Sequence, residues 1–340
     1  MIVIMKAKAE EEDVNQVIDA IKSLGLRTQL NFGAERVVVA VIGDISKIGE
    51  ENFFRIRAMK GVENTVFVSK PYKLVSKDFK NEQTVIDVDG VKIGGKKIVV
   101  FAGPCSVENR EQIMEVAEKI KKAGASMIRG GAFKPRTSPK DFQGLGKEGL
   151  EFLAAAKEET GLPIVTEVMD TRDVKLVSEY ADILQVGTRN MQNYALLKEL
   201  GKYDKPVLLK RGMWATLKEF LSAAEYILAG GNNNVMLCER GIRTFSDFTR
   251  NTLDLSIVPV LKKESHLPVI VDPSHGTGRR DIVKSMTLAA IACGADGVTI
   301  EAHTDPQKAI SDADQTISTL DLHELMGEIK YISRMFGREI

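Results

Sequence analysis

The 340-residue sequence has little of what characterises secreted, membrane or nucleic-acid-binding proteins. Its three cysteines, Cys105, Cys238 and Cys293, are too few and too far apart to form a disulfide framework. No apolar run is long enough to span a bilayer, and the segment 1–6 is too short for a signal peptide. Basic and acidic residues balance at 47 each, so no nucleic-acid or membrane partner is indicated. These absences, with 44% hydrophobic residues, predict a cytoplasmic globular protein with a substantial core.

Residues 1–70 carry their own pattern of strands and helices and are predicted to form a separate domain. The order is βαββαβ, which is that of a ferredoxin-like domain. Because this segment contains neither His nor Cys, we expect no catalytic cluster in it. It is either a folding appendage or, as we favour, a domain that senses a small molecule or mediates oligomerisation. The predicted elements are strand 2–5, helix 10–24, strands 27–32 and 37–42, helix 45–59 and strand 62–68.

Residues 71–96 are predicted to be a linker followed by a short hairpin. The linker is polar and begins with Pro71, and residues 85–95 then alternate about Asp89-Gly90, a pair typical of hairpin turns. From residue 97 the character of the sequence changes, which marks the start of a second, larger domain.

Residues 97–340 contain eight short β-rich runs, each followed by a segment with helical periodicity. Eight such repeats are typical of a (β/α)8 barrel; an open doubly wound sheet is the alternative, but it rarely has eight evenly spaced parallel strands. The runs are 98–102, 126–129, 163–167, 183–187, 207–210, 235–238, 269–272 and 297–301. The helices are predicted at 111–122, 147–159, 173–180, 190–200, 217–229, 247–261, 281–292 and 314–335.

Polar and charged residues follow nearly every one of these strands, where barrel enzymes carry their active sites. One set mixes donor types: Cys105, His275 and Glu301, with Asp312 further along the chain. Sulfur, nitrogen and oxygen donors together suit a borderline divalent ion, Zn²⁺, Fe²⁺, Mn²⁺ or Co²⁺, rather than Ca²⁺ or Mg²⁺. Two alternatives stay open at this point: His303 is a rival ligand on the same face of its strand, and Cys105 is equally well explained as a small buried hydrophobe.

A second set at the strand ends is cationic. Six positive groups at one mouth would repel one another without anions between them. We therefore expect one substrate with a phosphate and a carboxylate, another with a phosphate, and a neighbouring metal ion that polarises a carbonyl. The set comprises Arg129, Lys134, Arg136, Arg189, Lys210 and Arg240.

The motifs at these strand ends closely resemble those of the 3-deoxy-D-arabino-heptulosonate 7-phosphate (DAHP) synthases, and the resemblance covers the whole barrel. The ferredoxin-like unit resembles the regulatory domain of one subgroup of that family. The matching motifs are Ala102-Gly103-Pro104-Cys105-Ser106, the segment from Arg129 to Ser138, Gly187-Thr188-Arg189-Asn190, Leu209-Lys210-Arg211-Gly212, Leu237-Cys238-Glu239-Arg240-Gly241, Val271-Asp272-Pro273-Ser274-His275, Glu301-Ala302-His303 and Ser311-Asp312.

The resemblance implies the condensation of phosphoenolpyruvate (PEP) with erythrose 4-phosphate and water, the entry step of the shikimate pathway. It implies one divalent metal ion held by Cys105, His275, Glu301 and Asp312, with His303 only a neighbour. The identity of the ion stays open among Mn²⁺, Fe²⁺, Zn²⁺ and Co²⁺, because availability decides it as well as ligand type.

The resemblance also assigns the cations to the substrates. It implies that Arg189, Lys210 and Arg240 hold PEP, chiefly its phosphate, with Arg129 and Lys134 near the carboxylate. Lys134, or a metal-bound water, is the candidate proton donor to the new alkoxide. We expect the neighbouring arginines to lower the pKa of Lys134, which would suit that role.

The aldose side of the site separates two related activities. The resemblance implies that Arg136 and Thr137 bind the phosphate of erythrose 4-phosphate and that Glu167 lies near the reacting water. The alternative activity is 3-deoxy-manno-octulosonate 8-phosphate synthesis from arabinose 5-phosphate, whose enzymes typically carry Ala-Asn-Arg-Ser after the lysine. Here Pro135-Arg136-Thr137 follows Lys134, which favours the four-carbon sugar. A catalytically silent effector-binding barrel is disfavoured, because no expected ligand or arginine is missing.

For residues 1–70 the resemblance implies feedback inhibition by an aromatic amino acid, Tyr or Phe, in a homotetramer. Residues 97–340 would then be the catalytic domain. The sequence alone does not identify the residues that bind the effector.

Overall fold

The N-terminal unit, Met1–Pro71, is built on a four-stranded antiparallel sheet, in which the strands lie in the order 27–32, 37–42, 2–5 and 62–66, with two helices. The first helix, Glu11–Ser23, places Val14, Val17 and Ile21 on one buried face, and they join Val3 and Met5 of the first strand in one apolar cluster. The ferredoxin-like prediction is therefore confirmed. The elements are β1 (Ile2–Met5), α1 (Glu11–Ser23), β2 (Arg27–Phe32), β3 (Val37–Ile42), α2 (Glu50–Arg57) and β4 (Val62–Val66).

The structure, a computed structural model, describes residues 1–32, 36–43, 48–66, 71–136 and 138–340. The start of the predicted helix 45–59 and the end of the predicted strand 62–68 lie partly outside these ranges.

A β-hairpin precedes the barrel in the second unit, Tyr72–Ile340. Its strands are β5 (Ile86–Val88) and β6 (Val91–Ile93), and both turn residues, Asp89 and Gly90, have positive φ values of 49° and 85°. Two successive positive φ values are typical of the tight hairpin turns whose twist matches that of the strands. The hairpin buries Ile86, Val88 and Ile93 against side chains inside the barrel, so it covers the barrel's N-terminal end.

Eight parallel strands form the barrel, and the last one pairs with the first. Each is paired with its neighbours in sequence, and β14 closes on β7 from Gly297↔Val99 to Glu301↔Gly103. The predicted eight-stranded barrel is confirmed. The strands are β7 (Val99–Gly103), β8 (Met127–Arg129), β9 (Ile164–Glu167), β10 (Ile183–Val186), β11 (Val207–Lys210), β12 (Val235–Glu239), β13 (Val269–Val271) and β14 (Gly297–His303).

Helices surround the barrel, and their buried faces and the outward side chains of the strands form its larger apolar cluster. Among the described residues, no helix is long and apolar enough to cross a bilayer. The helices are α3 (Arg110–Ala123), α4 (Lys147–Thr160), α5 (Val174–Tyr180), α6 (Tyr194–Leu200), α7 (Leu217–Ala229), α8 (Ile257–Glu264), a short α9 (Pro273–Thr277), α10 (Arg280–Ala292) and α11 (Thr319–Met335). A two-residue strand, β15 (Ile317–Ser318), pairs with β14.

The sixth helix differs most from its prediction at 247–261. Helix α8 begins only at Ile257, and residues 240–256 form a loop over the mouth of the barrel. Phe248, which lies within the predicted helix, is exposed in this loop. The loop brings two further arginines, Arg243 and Arg250, to the mouth.

Candidate active site at the carboxyl ends of the strands

The four residues predicted to bind a metal ion come together at the mouth of the barrel. Cys105 follows β7, His275 lies in α9, Glu301 is part of β14 and Asp312 precedes a single turn of 3-10 helix. One ligand atom from each lies within 4.8 Å of every other. Because β14 pairs with both β7 and β13, three of these ligands come from neighbouring strand ends.

His275 is held so that one ring nitrogen faces the cluster. Its Nδ1 lies 2.7 Å from Oδ2 of Asp272, and its Nε2 lies 3.2 Å from Oε1 of Glu301. Although burial opposes ionisation, the charges of His275 and Lys210 hold the pKa of Asp272 well below its usual value. An ionised carboxylate only accepts hydrogen bonds, so Nδ1 carries the proton and Nε2 presents its lone pair. Burial also lowers the pKa of His275, which favours the neutral ring that a metal ion needs.

Hydrogen bonds from neighbouring side chains orient both carboxylates of the cluster. Glu301 accepts hydrogen bonds from Arg129 at 2.7 Å and from Gln315 at 2.6 Å. Arg250 donates to Oδ1 of Asp312 at 3.0 Å and to Gln315 at 2.8 Å. Burial opposes ionisation of both carboxylates, but the neighbouring positive charges lower their pKa values. Asp312 has φ of 54°, an unusual conformation for a residue other than glycine, and it points Oδ2 towards Cys105.

Lys134 lies against the thiol of the cluster. Its Nζ is 2.9 Å from Sγ of Cys105 and 3.0 Å from the Cys105 carbonyl oxygen. Burial, with the charge of Glu301, raises the pKa of Cys105 to about 12. The predicted lowering of the Lys134 pKa is wrong: burial lowers it, but the interactions of the ammonium group with Cys105 and Glu301 outweigh burial and raise it. A coordinated thiol loses its proton to the metal's charge, so the raised Cys105 pKa is compatible with a metal ligand.

Two glycines leave room for Lys134 and Glu167, two of the predicted site residues. A Cβ on Gly131 would lie 2.7 Å from Cδ of Lys134, and a Cβ on Gly187 would lie 2.0 Å from Oε1 of Glu167. These distances are shorter than van der Waals contact, so neither position accepts a larger residue without displacing its neighbour. Gly131 therefore makes room for Lys134 of the same loop.

A pocket of about 230 Å³ beside the cluster brings together the predicted cations. Four of them are buried, Arg136 is half-buried and lies 3.5 Å from Asp141, and Arg189 is exposed. Thr137, predicted to share the aldose phosphate with Arg136, lies outside the described residues. The lining includes Arg129, Lys134, Arg136, Glu167, Arg189, Lys210, Arg240, His275 and Asp312.

Two polar atoms of this pocket are buried and lack a hydrogen-bond partner among the described residues: Nε of Arg129 and Oε1 of Glu167. Buried polar groups are normally satisfied, so such atoms indicate that something else completes the site. Here they mark a place for a polar ligand.

Sequence reasoning missed several residues at this mouth. Arg243 and Arg250 line the pocket from the loop that was predicted to be partly helical. Asp272 and Gln315 form hydrogen bonds with residues of the cluster without belonging to it, and Asp272 also contacts Lys210. Asp272 lies in a motif already noted in the sequence, three residues before His275. That spacing was the available signal that its carboxylate contacts the histidine.

His303, the alternative metal ligand, and the two other cysteines lie outside the cluster. His303 has its Nε2 3.8 Å from Oε2 of Glu108 and does not join the four-residue cluster. Cys238 is buried inside the barrel among apolar side chains, and Cys293 is partly buried on the helical layer.

Comparison with known proteins places both units in one family. Residues 78–334 match the DAHP synthetase I family and residues 1–70 match the DAHP synthase ferredoxin-like domain. A phospho-2-dehydro-3-deoxyheptonate aldolase of Thermotoga maritima is 48% identical over all of both chains. Its crystal structure superposes with a TM-score of 0.94, covering 99% of this chain and 98% of that one.

More distant relatives have the alternative activity in their names. A 2-dehydro-3-deoxyphosphooctonate aldolase of Geobacter sulfurreducens is 30% identical over 73% of this chain and 97% of its own. This match is weaker and leaves more than a quarter of the chain uncovered. The chain belongs to the DAHP synthetase I family, carries that family's ferredoxin-like domain and is an enzyme of that class.

Proposed function

We propose that this enzyme condenses PEP with erythrose 4-phosphate and water, releasing DAHP and phosphate, at the mouth of its barrel. The observation that carries the proposal is the adjacency of a mixed four-ligand cluster to a pocket lined by arginines and lysines. The cluster suits a Lewis-acidic metal ion, and the pocket suits substrates with several negative charges.

The proposed metal ligands are Cys105, His275, Glu301 and Asp312. The residues fit a divalent ion, because a ring lone pair, two ionised carboxylates and a thiol converge within 4.8 Å. The donor types suit Mn²⁺, Fe²⁺, Zn²⁺ or Co²⁺. When bound, such an ion would supply Lewis-acid polarisation of the aldehyde carbonyl of the sugar.

The buried cations are proposed to bind PEP. Lys210 and Arg240, with the exposed Arg189, would hold the phosphate, and Arg129 and Lys134 would lie at the carboxylate. The Nε of Arg129, which is buried and has no hydrogen-bond partner in the described part of the chain, is a donor available to that carboxylate. Charge-assisted hydrogen bonds in a buried site are strong and orient their ligand. Holding PEP at both ends would fix the face of its double bond that meets the aldehyde.

Arg136 and Thr137 are proposed to bind the phosphate of erythrose 4-phosphate. Arg136 lines the pocket at its more exposed side, where Asp141 contacts it. An anionic ligand would displace that contact in favour of a stronger, bidentate one. Two phosphate sites in one pocket keep two mutually repelling anions close enough to react.

Lys134 and Glu167 are proposed to handle protons and water. Lys134 keeps its proton, because its pKa is raised, and would donate it to the new alkoxide. Oε1 of Glu167, buried and partnerless among the described residues, would orient the water that adds at C2 of PEP. Phosphate then leaves by cleavage of the C–O bond.

Residues 1–70 are proposed to be a regulatory domain for an aromatic amino acid, Tyr or Phe, in a homotetramer, and residues 97–340 the catalytic domain. Support comes from the match to the DAHP synthase ferredoxin-like domain and from the separate core of this unit. Residues 71–96 would serve as the connection, with the hairpin covering the bottom of the barrel.

The proposal is tested by following PEP consumption with erythrose 4-phosphate and arabinose 5-phosphate in parallel, before and after EDTA and with metal added back. We expect turnover of the four-carbon sugar alone, lost with EDTA and restored by Mn²⁺ or Zn²⁺. Turnover of the pentose would favour octulosonate synthesis instead. Inactivity with both sugars in metal-replete protein would favour an effector-binding barrel.

A further inference from the structure

We infer that Asp272 couples the proposed metal centre to the proposed phosphate site, so that metal and PEP each tighten the binding of the other. The inference rests on the proposed function. One oxygen, Oδ2, receives a hydrogen bond from Lys210 at 2.6 Å and another from Nδ1 of His275 at 2.7 Å. A single atom therefore contacts a proposed phosphate ligand and a proposed metal ligand.

The Asp272 carboxylate is held in one orientation, so it cannot turn to bond Lys210 and His275 separately. Its other oxygen, Oδ1, accepts the backbone N–H of His275 at 2.9 Å and caps helix α9. Asp272 is 1% exposed and Lys210 is 4% exposed, so bulk water does not replace either contact. A change in the hydrogen bond to one partner must therefore change the hydrogen bond to the other.

The sign of the coupling follows from how the negative charge of Oδ2 is shared. A cation at Nε2 of His275 withdraws electrons from the ring, so Nδ1–H becomes a stronger donor and takes a larger share of Oδ2. Lys210 is then less compensated by Asp272 and holds the PEP phosphate more strongly. In reverse, a phosphate on Lys210 leaves more of Oδ2 to His275 and makes Nε2 a better ligand. Linkage requires the two effects to be equal.

Other contacts also join cations to the cluster, but they lie at the proposed carboxylate end. Arg129 donates to Glu301 and Lys134 contacts Cys105. Part of the coupling should therefore survive the loss of Asp272, and the part that belongs to the phosphate end should disappear.

The experiment measures the Kd of Mn²⁺ with and without PEP, and the Kd of PEP with and without Mn²⁺, by calorimetry without the aldose. The wild-type coupling factor should lie in the usual range of about 5- to 150-fold. In Asp272→Asn we expect this factor to fall at least threefold. An unchanged factor in a folded Asp272→Asn protein, or a wild-type factor of one, would overturn the inference.

Two matched variants each change a contact outside the bridge and leave Asp272, Lys210 and His275 in place. Gln315→Met removes the hydrogen bond that Gln315 donates to Glu301. Glu239→Gln weakens the ion pair between Arg211 and Glu239, the residue before Arg240. We expect the first to weaken Mn²⁺ binding and the second to weaken PEP binding, with the coupling factor near that of the wild type. A similar fall in all three variants would mean a general loosening of the mouth, and the inference would be wrong.

A spectroscopic measurement keeps the inference testable if Asp272→Asn does not fold. In the Zn²⁺-loaded wild-type protein labelled with 15N-histidine, PEP should shift the Nδ1 resonance of His275. An Nδ1 resonance that stays in place at saturating PEP would contradict the bridge. Failure of the wild-type protein to bind Mn²⁺ or PEP at all would instead refute the proposed function, so the two failures are distinguishable.

Discussion

Lys134 shows how neighbours from distant strands decide the charge of a single side chain. In the sequence it stands between arginines, which would lower its pKa. In the fold, interactions with Cys105, just after the first barrel strand, and with Glu301, in the last one, raise the pKa instead. A lysine that keeps its proton at neutral pH can still act as an acid if the reaction creates a strongly basic alkoxide beside it.

Replacing Lys134 with Met should lower kcat far more than it weakens PEP binding. Loss of a general acid typically costs about 10²–10⁴-fold in rate, whereas one contact among several to PEP is worth much less. Steady-state kinetics and the Kd of PEP measured by calorimetry separate the two effects. Lys140→Met, an exposed change in the same loop, is the control. A Lys134→Met enzyme with unchanged turnover would disprove the proton-donor role.

Which site residues could be read from the sequence depends on where their partners come from. Cys105, His275 and Glu301 were predictable, because parallel strands of a barrel bring their carboxyl ends to one rim. The double contact of Asp272 and the support that Arg250 gives Asp312 were not, because both depend on side-chain directions across different loops. Local spacing contains no information on such contacts.

At the scale of elements, the loops after β11 and β12 are joined by one arginine. Arg211 donates to Ala215 in its own loop at 3.0 Å, and to Glu239 and Asp254 at 2.9 Å each. Glu239 in turn accepts the backbone N–H of Gly241 at 2.6 Å. These bonds fix the strand ends from which the neighbouring residues, Lys210 and Arg240, enter the pocket.

Arg211→Lys should therefore raise the KM for PEP by about tenfold while changing kcat and the KM for the aldose much less. Lysine keeps the charge but cannot reproduce the forked geometry that reaches three acceptors. Initial-rate kinetics with each substrate varied in turn provide the measurement. Arg172→Lys, in an exposed pair with Asp170, is the matched control and should behave as wild type. Equal effects on both substrates would argue against a specific role at the phosphate end.

The eight strands were predictable to within one or two residues at most ends, because each is a short buried run rich in β-branched and aliphatic residues. The segment 240–256 was not, because its exposed Phe248 and the apolar residues after Asn251 imitate a helical pattern without packing as one. Its conformation is set instead by tertiary bonds such as those of Arg211. A helical spacing of apolar residues indicates a helix only where those side chains are buried on one face.

The hairpin that covers the bottom of the barrel should contribute directly to its stability. Ile93 is fully buried against the barrel interior, so Ile93→Ala would remove apolar contacts and leave a cavity. We expect a loss of about 2–4 kcal/mol in the free energy of unfolding. Urea unfolding followed by circular dichroism measures it, with Val85→Ala at an exposed position as the control. Equal stability of the two variants would show that the hairpin is not part of the folded core.

At the scale of the whole molecule, the two units each have their own cluster of buried apolar side chains. The four-residue cluster and the pocket beside it are made of residues from the second unit alone. Catalysis should therefore not require the first 70 residues, whereas control of catalysis by an effector requires a second site.

Deletion of residues 1–70 should leave an active enzyme that Tyr and Phe no longer inhibit. In the full chain an effector should reduce activity by a factor within the usual range of about 5- to 150-fold, and in the truncated chain by less than about twofold. Initial rates with both substrates well below their KM values, measured over a range of Tyr and Phe concentrations, give both numbers. Inhibition that persists after truncation would place the effector site in the barrel. If neither amino acid inhibits the full chain, these residues would have to serve another effector or oligomerisation alone.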